Sequence, residues 1–434
     1  MINTNRKVLI FFLLILTFMI YNSSFIVNDS ENSLILENKY ETLEENNLIH
    51  TSSSNVSLIW YHPTGLYVEL VDISSDGNYI ICASTNYTTN HLVMLFHKSS
   101  SKPLWTFNPN GRVISVAISS NGDYIVVGTG FDSRMVYLFH KSSSTPLWSY
   151  YANEIVFSVA ISSDGEHIVA GVKNNMLYLF NKSSSNPVWQ TSLGGGVGYV
   201  DISSDGNYII AGCSFSHVFF FERSSKIPLW DYEVNDHLTS VSISNTGNYI
   251  TIGSRKSLGS NRLFLFEFSN STPQWDYTSD NPIFAVISGN GEYIAAGASD
   301  EILFFENKGT LPIWNYSIQN GGVVSLDISQ DGSFLVAGTI GSNLSGGEVL
   351  FFNTENSTPI WCYTTANIIL SVATSSDGNL ATAGGEDENI YLFSRKLEDT
   401  KEIISSYDQM LIISILCLVV SFLIPLKHKR IKKK

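Results

Sequence analysis

Tryptophan holds one fixed place in a phrase that this chain repeats: "KSSSKPLW" (98–105), "KSSSTPLW" (141–148), "KSSSNPVW" (182–189), "RSSKIPLW" (223–230), "FSNSTPQW" (268–275), "NKGTLPIW" (307–314) and "ENSTPIW" (355–361). The eight tryptophans, Trp60, Trp105, Trp148, Trp189, Trp230, Trp275, Trp314 and Trp361, are spaced by 45, 43, 41, 41, 45, 39 and 47 residues. Turn pairs keep step with them: Asp76-Gly77, Asn121-Gly122, Asp164-Gly165, Asp205-Gly206, Thr246-Gly247, Asn290-Gly291, Asp331-Gly332 and Asp377-Gly378. A period of this length marks a stack or ring of similar units, none able to bury its apolar faces alone.

One unit displays the local physics. In residues 113–150, "VISVAIS" reads as a buried strand, and Asn121-Gly122 supplies the positive φ of a tight hairpin. "YIVVG" returns antiparallel. A loop leads to a third strand, "MVYLF". A serine-rich turn then ends at Pro146, where "LWSY" begins a fourth, outer strand that tolerates proline at its start. Such a four-stranded sheet must stack on neighbours, and a large aromatic at one place in every outer strand fills the gap between adjacent sheets. The first unit starts with the tryptophan strand "LIWYH" (58–62) and the last ends with a third strand, "IYLFS" (390–394). The N-terminal strand is therefore expected to complete the last sheet. The expected fold is all-β: an eight-bladed β-propeller of four-stranded antiparallel blades over residues 58–397, with the eight tryptophans between blades.

These residues resemble two propeller families. "SVAISSDG" (158–165) and "YIIAG" (208–212) resemble the WD-repeat pattern, while "LFHKSSSTPLW" (138–148) resembles the tryptophan-docking motif of pyrroloquinoline-quinone-type propellers. Together they cover residues 58–394. The chain departs from both: Ser144 and Ser185 stand where the quinone-type turn carries glycine, and the Trp-Asp ending and Gly-His pair of WD repeats are absent. A quinone-type enzyme would, by that resemblance, need a carboxylate, an amide, an active-site aspartate and a metal-bound quinone at the channel. No such set is legible on the inner strands, and no cofactor or catalytic residue is assigned.

Two apolar segments frame the repeats. Residues 1–21 read as a signal peptide or signal anchor, since "VLIFFLLILTFMIY" (8–21) follows Arg6 and Lys7. Residues 22–57 read as an exposed polar linker and 398–408 as a juxtamembrane one. Within 409–426, "MLIISILCLVVSFLIPL" carries no charge over 17 residues and reads as a transmembrane helix ahead of a basic cytoplasmic tail, 427–434. The net charge of −14 conceals this split. Without the eight cations at the two ends, 17 basic residues face 39 acidic ones, a balance that disfavours nucleic acid as a partner.

Candidate chemistry is sparse. Asp72, Asp201 and Asp327 sit at equivalent places in "VDIS", "VDIS" and "LDIS"; a calcium-binding ring is one reading, and capping of blade loops by local hydrogen bonds is preferred. Cys82, Cys213 and Cys362 read as small buried hydrophobes, Cys417 lies in the membrane segment, and no metal-ligand spacing appears. His62 and His237 read as lone surface residues. The loops joining second to third strands, 84–91, 129–134, 254–261, 339–348 and 385–389, are polar and unequal in length, whereas the hairpins on the other rim are nearly constant. Arg134, Arg255, Lys256 and Arg262 against Glu386, Asp387 and Glu388 would give that loop face a polarised surface. Asn55, Asn86, Asn181, Asn270, Asn315, Asn343 and Asn356 occupy glycosylation sequons. Two function classes follow: a membrane-anchored, outward-facing, non-catalytic module for a protein or glycan partner, and the alternative of a surface quinoprotein-like oxidoreductase or other enzyme using the channel.

Overall fold

The computed structural model describes residues 56–395 apart from 87–89, 214–216, 257–259, 320 and 342–345. The expected signal segment, the linkers, the transmembrane helix and the basic tail, with Asn55, Asn343 and Cys417, lie outside the described residues, save that Val56 and Ser57 of the expected linker begin a strand. The described chain forms strands β1 to β32 in eight four-stranded antiparallel sheets. Blade 1 spans residues 67–107 (β2–β5), blade 2 113–151 (β6–β9), blade 3 156–192 (β10–β13) and blade 4 197–233 (β14–β17). Blade 5 spans 237–279 (β18–β21), blade 6 283–317 (β22–β25) and blade 7 322–365 (β26–β29). Blade 8 takes β30–β32 (369–395) and is completed by β1, Val56–Pro63, which pairs antiparallel with β32 through Trp60↔Leu392 and His62↔Ile390. Each innermost strand packs on that of the next blade, and β30 packs on β2, which closes the ring. The outer strand of the last blade is thus the N-terminal strand expected from the phase of the repeat.

Each hairpin between first and second strands is a small hydrogen-bonded box. In blade 1 the Ser74 hydroxyl donates to Asp76 Oδ1 at 2.6 Å and accepts from Tyr79 N–H at 3.0 Å, while Asn78 N–H donates to Asp76 at 3.0 Å. The turn glycine does two jobs. Gly122 takes φ 71°, and its missing Cβ leaves room for the Tyr79 ring of the preceding blade. Second strands lie under neighbours on both faces, so they read as apolar runs: in "YIVVGT" every residue after Tyr124 is buried.

The tryptophans link each outer strand to the following blade. All eight indoles lie 5.4–5.9 Å from a phenylalanine on the third strand of the next blade, as Trp148 does with Phe180. Seven of them donate Nε1–H at 2.7–2.9 Å to the carbonyl that follows that strand. Most stay half-buried at the perimeter; Trp275, at 6% exposure, is covered. The serine turn ahead of each tryptophan needs no glycine, because Ser144 and Ser185 keep negative φ and hydroxyls such as Ser143 Oγ accept the amide two residues on.

One blade breaks the pattern. Seven innermost strands carry a register shift near their start, as between Val113 and Ser115, but β22 of blade 6 pairs with β23 without one. The missing residue accompanies the shortest tryptophan spacing, 39.

Candidate binding faces and channel

On the hairpin rim the backbones join into a closed circle. Asp76 N–H donates to Ser120 O, Ser120 to Ser163, Ser163 to Ser204, Ser204 to Asn245, Asn245 to Gly289, Asn290 to Gln330, Gln330 to Ser376 and Ser376 to Ser75, all at 2.8–3.2 Å. The turn carboxylates belong to this frame. Burial acts to raise the pKa of Asp76, but the hydrogen bonds from Ser74 and Asn78 outweigh it and hold the group below its usual range; Asp205 behaves alike.

The opposite rim carries the unequal loops, and the structure disperses the residues proposed for a polarised face. Arg134 lies in blade 2 with φ 55° and donates to Phe131 O at 3.2 Å. Arg255 ends β19 of blade 5, exposed, with Lys256 exposed beside it. Arg262 is not a loop residue: it sits in β20, half-buried, its guanidinium 4.7 Å from the Phe264 ring centroid and 3.8 Å from Asp276. Glu386, Asp387 and Glu388 are in blade 8. Asp387 is internally engaged, accepting from Tyr391 Oη at 2.5 Å and Asn389 N–H at 3.3 Å, and Glu388 O accepts from Thr64 N–H. The expected acidic groups therefore stand two blades from Arg134 and three from the blade 5 cations around the ring, and they form no single patch.

The inner strands reveal what sequence reading missed. An innermost strand has one free edge, whose N–H groups point into the channel and need acceptors. Serines of the preceding blade supply them: Ser371 accepts from Val71 N–H, Ser115 from Val159, Ser158 from Val200, Ser240 from Ala285 and Ser325 from Val372, at 2.9–3.1 Å. The three aspartates do the same work and do not cap blade loops. Asp72, Asp201 and Asp327 each accept from the next residue in their own strand and from the adjacent blade, Asp72 from Ile118 N–H at 3.0 Å, Asp201 from Ile243 at 3.0 Å and Asp327 from Thr374 at 2.7 Å. Burial raises Asp72 to about 7 and the other two to about 6, against the opposing pull of those amides. Among the described residues no group of three His, Cys, Asp or Glu side chains could hold a metal ion.

The cysteines divide. Cys82 and Cys213 are buried on second strands, but Cys362 is exposed, because alternation along β29 turns Trp361 inward and its successor out. His62 packs edge-on to Phe96, its ring centroid 5.3 Å away, and His237 begins β18. Of the described sequons, Asn270, Asn315 and Asn356 are exposed; Asn86 and Asn181 are half-buried, with side-chain oxygens engaged by Asn90 N–H and by Ser183.

Comparison with known proteins follows the same geometry. The model of the WD domain, G-beta repeat family matches residues 101–140 and 357–394. Each match runs from an outer strand into the first three strands of the next blade, one strand out of phase with the sheets. No curated protein matches the sequence. Among solved structures the chain is similar to the C-terminal WD40 domain of Sif2 (14% identity, 78% of this chain and 98% of that chain covered, TM-score 0.64). It is also similar to the Dos1 propeller (13% identity, 80% and 97% covered, TM-score 0.63). Of the two resemblances in the sequence, these findings support the WD-repeat one. The chain is an eight-bladed β-propeller in which two stretches, 101–140 and 357–394, match the WD-repeat model.

Proposed function

We propose that this protein is a membrane-anchored propeller that faces outward and binds a protein or glycan partner at the cell surface without catalysis, using the rim of unequal loops. The observation that carries this reading is the contrast between rims: one is tied into a closed backbone circle, while the other presents polar loops of different lengths on a constant frame. The uncharged segments flanked by Arg6, Lys7 and the Lys/Arg-rich tail support the orientation through the positive-inside rule.

Crosslinking on intact cells, followed by capture of the full chain, tests the binding reading. A partner enriched with the native protein and lost when residues 129–134 and 385–389 are exchanged for short Asn-Gly turns supports it; retention of the same partner assigns binding elsewhere. A bound quinone in the absorbance spectrum would overturn the non-catalytic reading. Protease added to intact cells should release the propeller by cutting within 398–408, while an epitope placed after Lys434 stays protected. An accessible tail epitope would reverse the topology.

A further inference from the structure

The channel wall departs from its own rule on either side of blade 5. Where five blades place a serine that caps the next blade's N–H, blade 1 carries Leu70 opposite Ala83, whereas blade 4 carries Tyr199 and blade 6 carries Phe284, both opposite the glycine that marks this position, Gly212 and Gly297. Tyr199 thus stands where a serine would cap the Val241 N–H. Blade 6 also lacks the register shift that the other seven innermost strands share. Between the two aromatics lies a cleft of about 610 Å³, floored by blade 5 residues including Thr239, Ser240 and Ser242, with Arg255 in its wall. That volume suits a few side chains or a small ligand.

The charges in the cleft are unequal in availability. Asp201 lies within it, but its two oxygens already accept from Ile202 and Ile243 N–H at 2.8 and 3.0 Å. Arg255 is exposed and makes none of the ion pairs found among the described residues, in a chain whose net charge is −14. Its field reaches Tyr199: burial raises that phenol and the guanidinium opposes the rise. Aromatic walls, hydroxyls and an unspent guanidinium together form a receptor for an apolar group that carries a carboxylate.

We propose that this cleft takes a short acidic-apolar segment of a partner polypeptide, its apolar side chain between Tyr199 and Phe284 and its carboxylate on Arg255. The proposal rests on the partner-binding reading above and adds a second, deeper contact to it.

Full-length protein in detergent, titrated with fluorescein-labelled hexapeptides centred on Asp-Phe, Asn-Phe or Lys-Phe, gives the test by anisotropy. Asp-Phe should bind tightest, and Arg255→Gln should weaken it at least about tenfold, the worth of a hydrogen bond to a charged group, while leaving Asn-Phe unchanged. Joint Tyr199→Ser and Phe284→Ser, which install the residue of the neighbouring blades, should weaken all three peptides. Lys226→Gln, in the exposed turn between β16 and β17, should alter none. Binding by no peptide, or an Asp-Phe preference that survives Arg255→Gln, overturns the cleft assignment. The two readings fail separately: a cellular partner that is lost on loop exchange yet captured undiminished by Arg255→Gln leaves the loop face standing without the cleft.

Discussion

The two rims of the ring handle the same residue type in opposite ways. On the hairpin rim, a Cβ added to Gly122, Gly165, Gly247 or Gly332 would run into a tyrosine of the preceding blade; on the loop rim, Gly65 and Gly194 have nothing within 4 Å and Gly346 meets only Thr365 O at 3.6 Å. All of these glycines take positive φ. One rim therefore couples every turn to its neighbour, whereas these glycines of the other rim meet no adjoining blade. Stability is a property of the repeated half of each unit, and sequence freedom belongs to the other half.

Substituting the tryptophans tests that division most severely, since their N–H groups anchor on carbonyls beside the hairpin rim. Trp275→Ala should cost about 3–5 kcal/mol in denaturant unfolding and half-buried Trp148→Ala about 2–4, in line with truncation of large buried aromatics. An unchanged midpoint for Trp275→Ala would break the comparison. Gly165→Ala comes next. It combines positive-φ strain with a clash against Tyr124, so about 2–3 kcal/mol is expected, whereas Gly194→Ala carries the strain alone, about 1 kcal/mol. Equal losses at both sites would show that the rims do not differ in coupling.

The pH profile separates rim from channel with a smaller effect. Asp72 is raised from 3.8 to about 7, so its stabilising contribution is fully present below about 4 and is lost as pH rises through 7. The rim carboxylates, such as Asp76 and Asp205, are lowered, and their contribution is lost as pH falls below the usual carboxylate range. The melting temperature should therefore climb between pH 8 and 5 and drop in stronger acid. Asp72→Asn should flatten the climb by on the order of 1 kcal/mol while leaving the acid limb intact; an unaltered climb would place the titration elsewhere. The smallest effect is expected from Arg134→Gln on the loop rim, within about 0.5 kcal/mol by the same unfolding measurement.

Much of this architecture is legible in the residues, because periodic tryptophans and Asp-Gly or Asn-Gly turns report blade number directly, and their phase assigns "LIWYH" to the closing strand. What escapes is decided at strand edges. Nothing in hydropathy says that Ser115 and Ser158 accept N–H groups from the next blade, since a serine on a half-buried strand reads as tolerated polarity. Asp72 invites a loop-capping reading because it lies four residues before the turn, yet the register shift at Val68 and Leu70 seats it in the ladder opposite Ile81. Arg262 invites a loop assignment because polar residues run straight into its strand. Cys362 was readable, since period-two alternation beside an inward Trp361 sends it out.

The pairing of Val56 with Arg395 also sets the order of events in time. A strand made first must wait, unpaired, for the partner made last, while seven complete sheets form between them from local hairpins. Loop closure over so long a separation is slow compared with hairpin formation, so the final step is intramolecular capture of a free edge. Until that capture, "VSLIWYHP" on one side and β32 on the other offer complementary edges to any second copy nearby. Crowded synthesis should favour exchange of first strands between molecules, and dilution or slow emergence of the chain should favour self-capture.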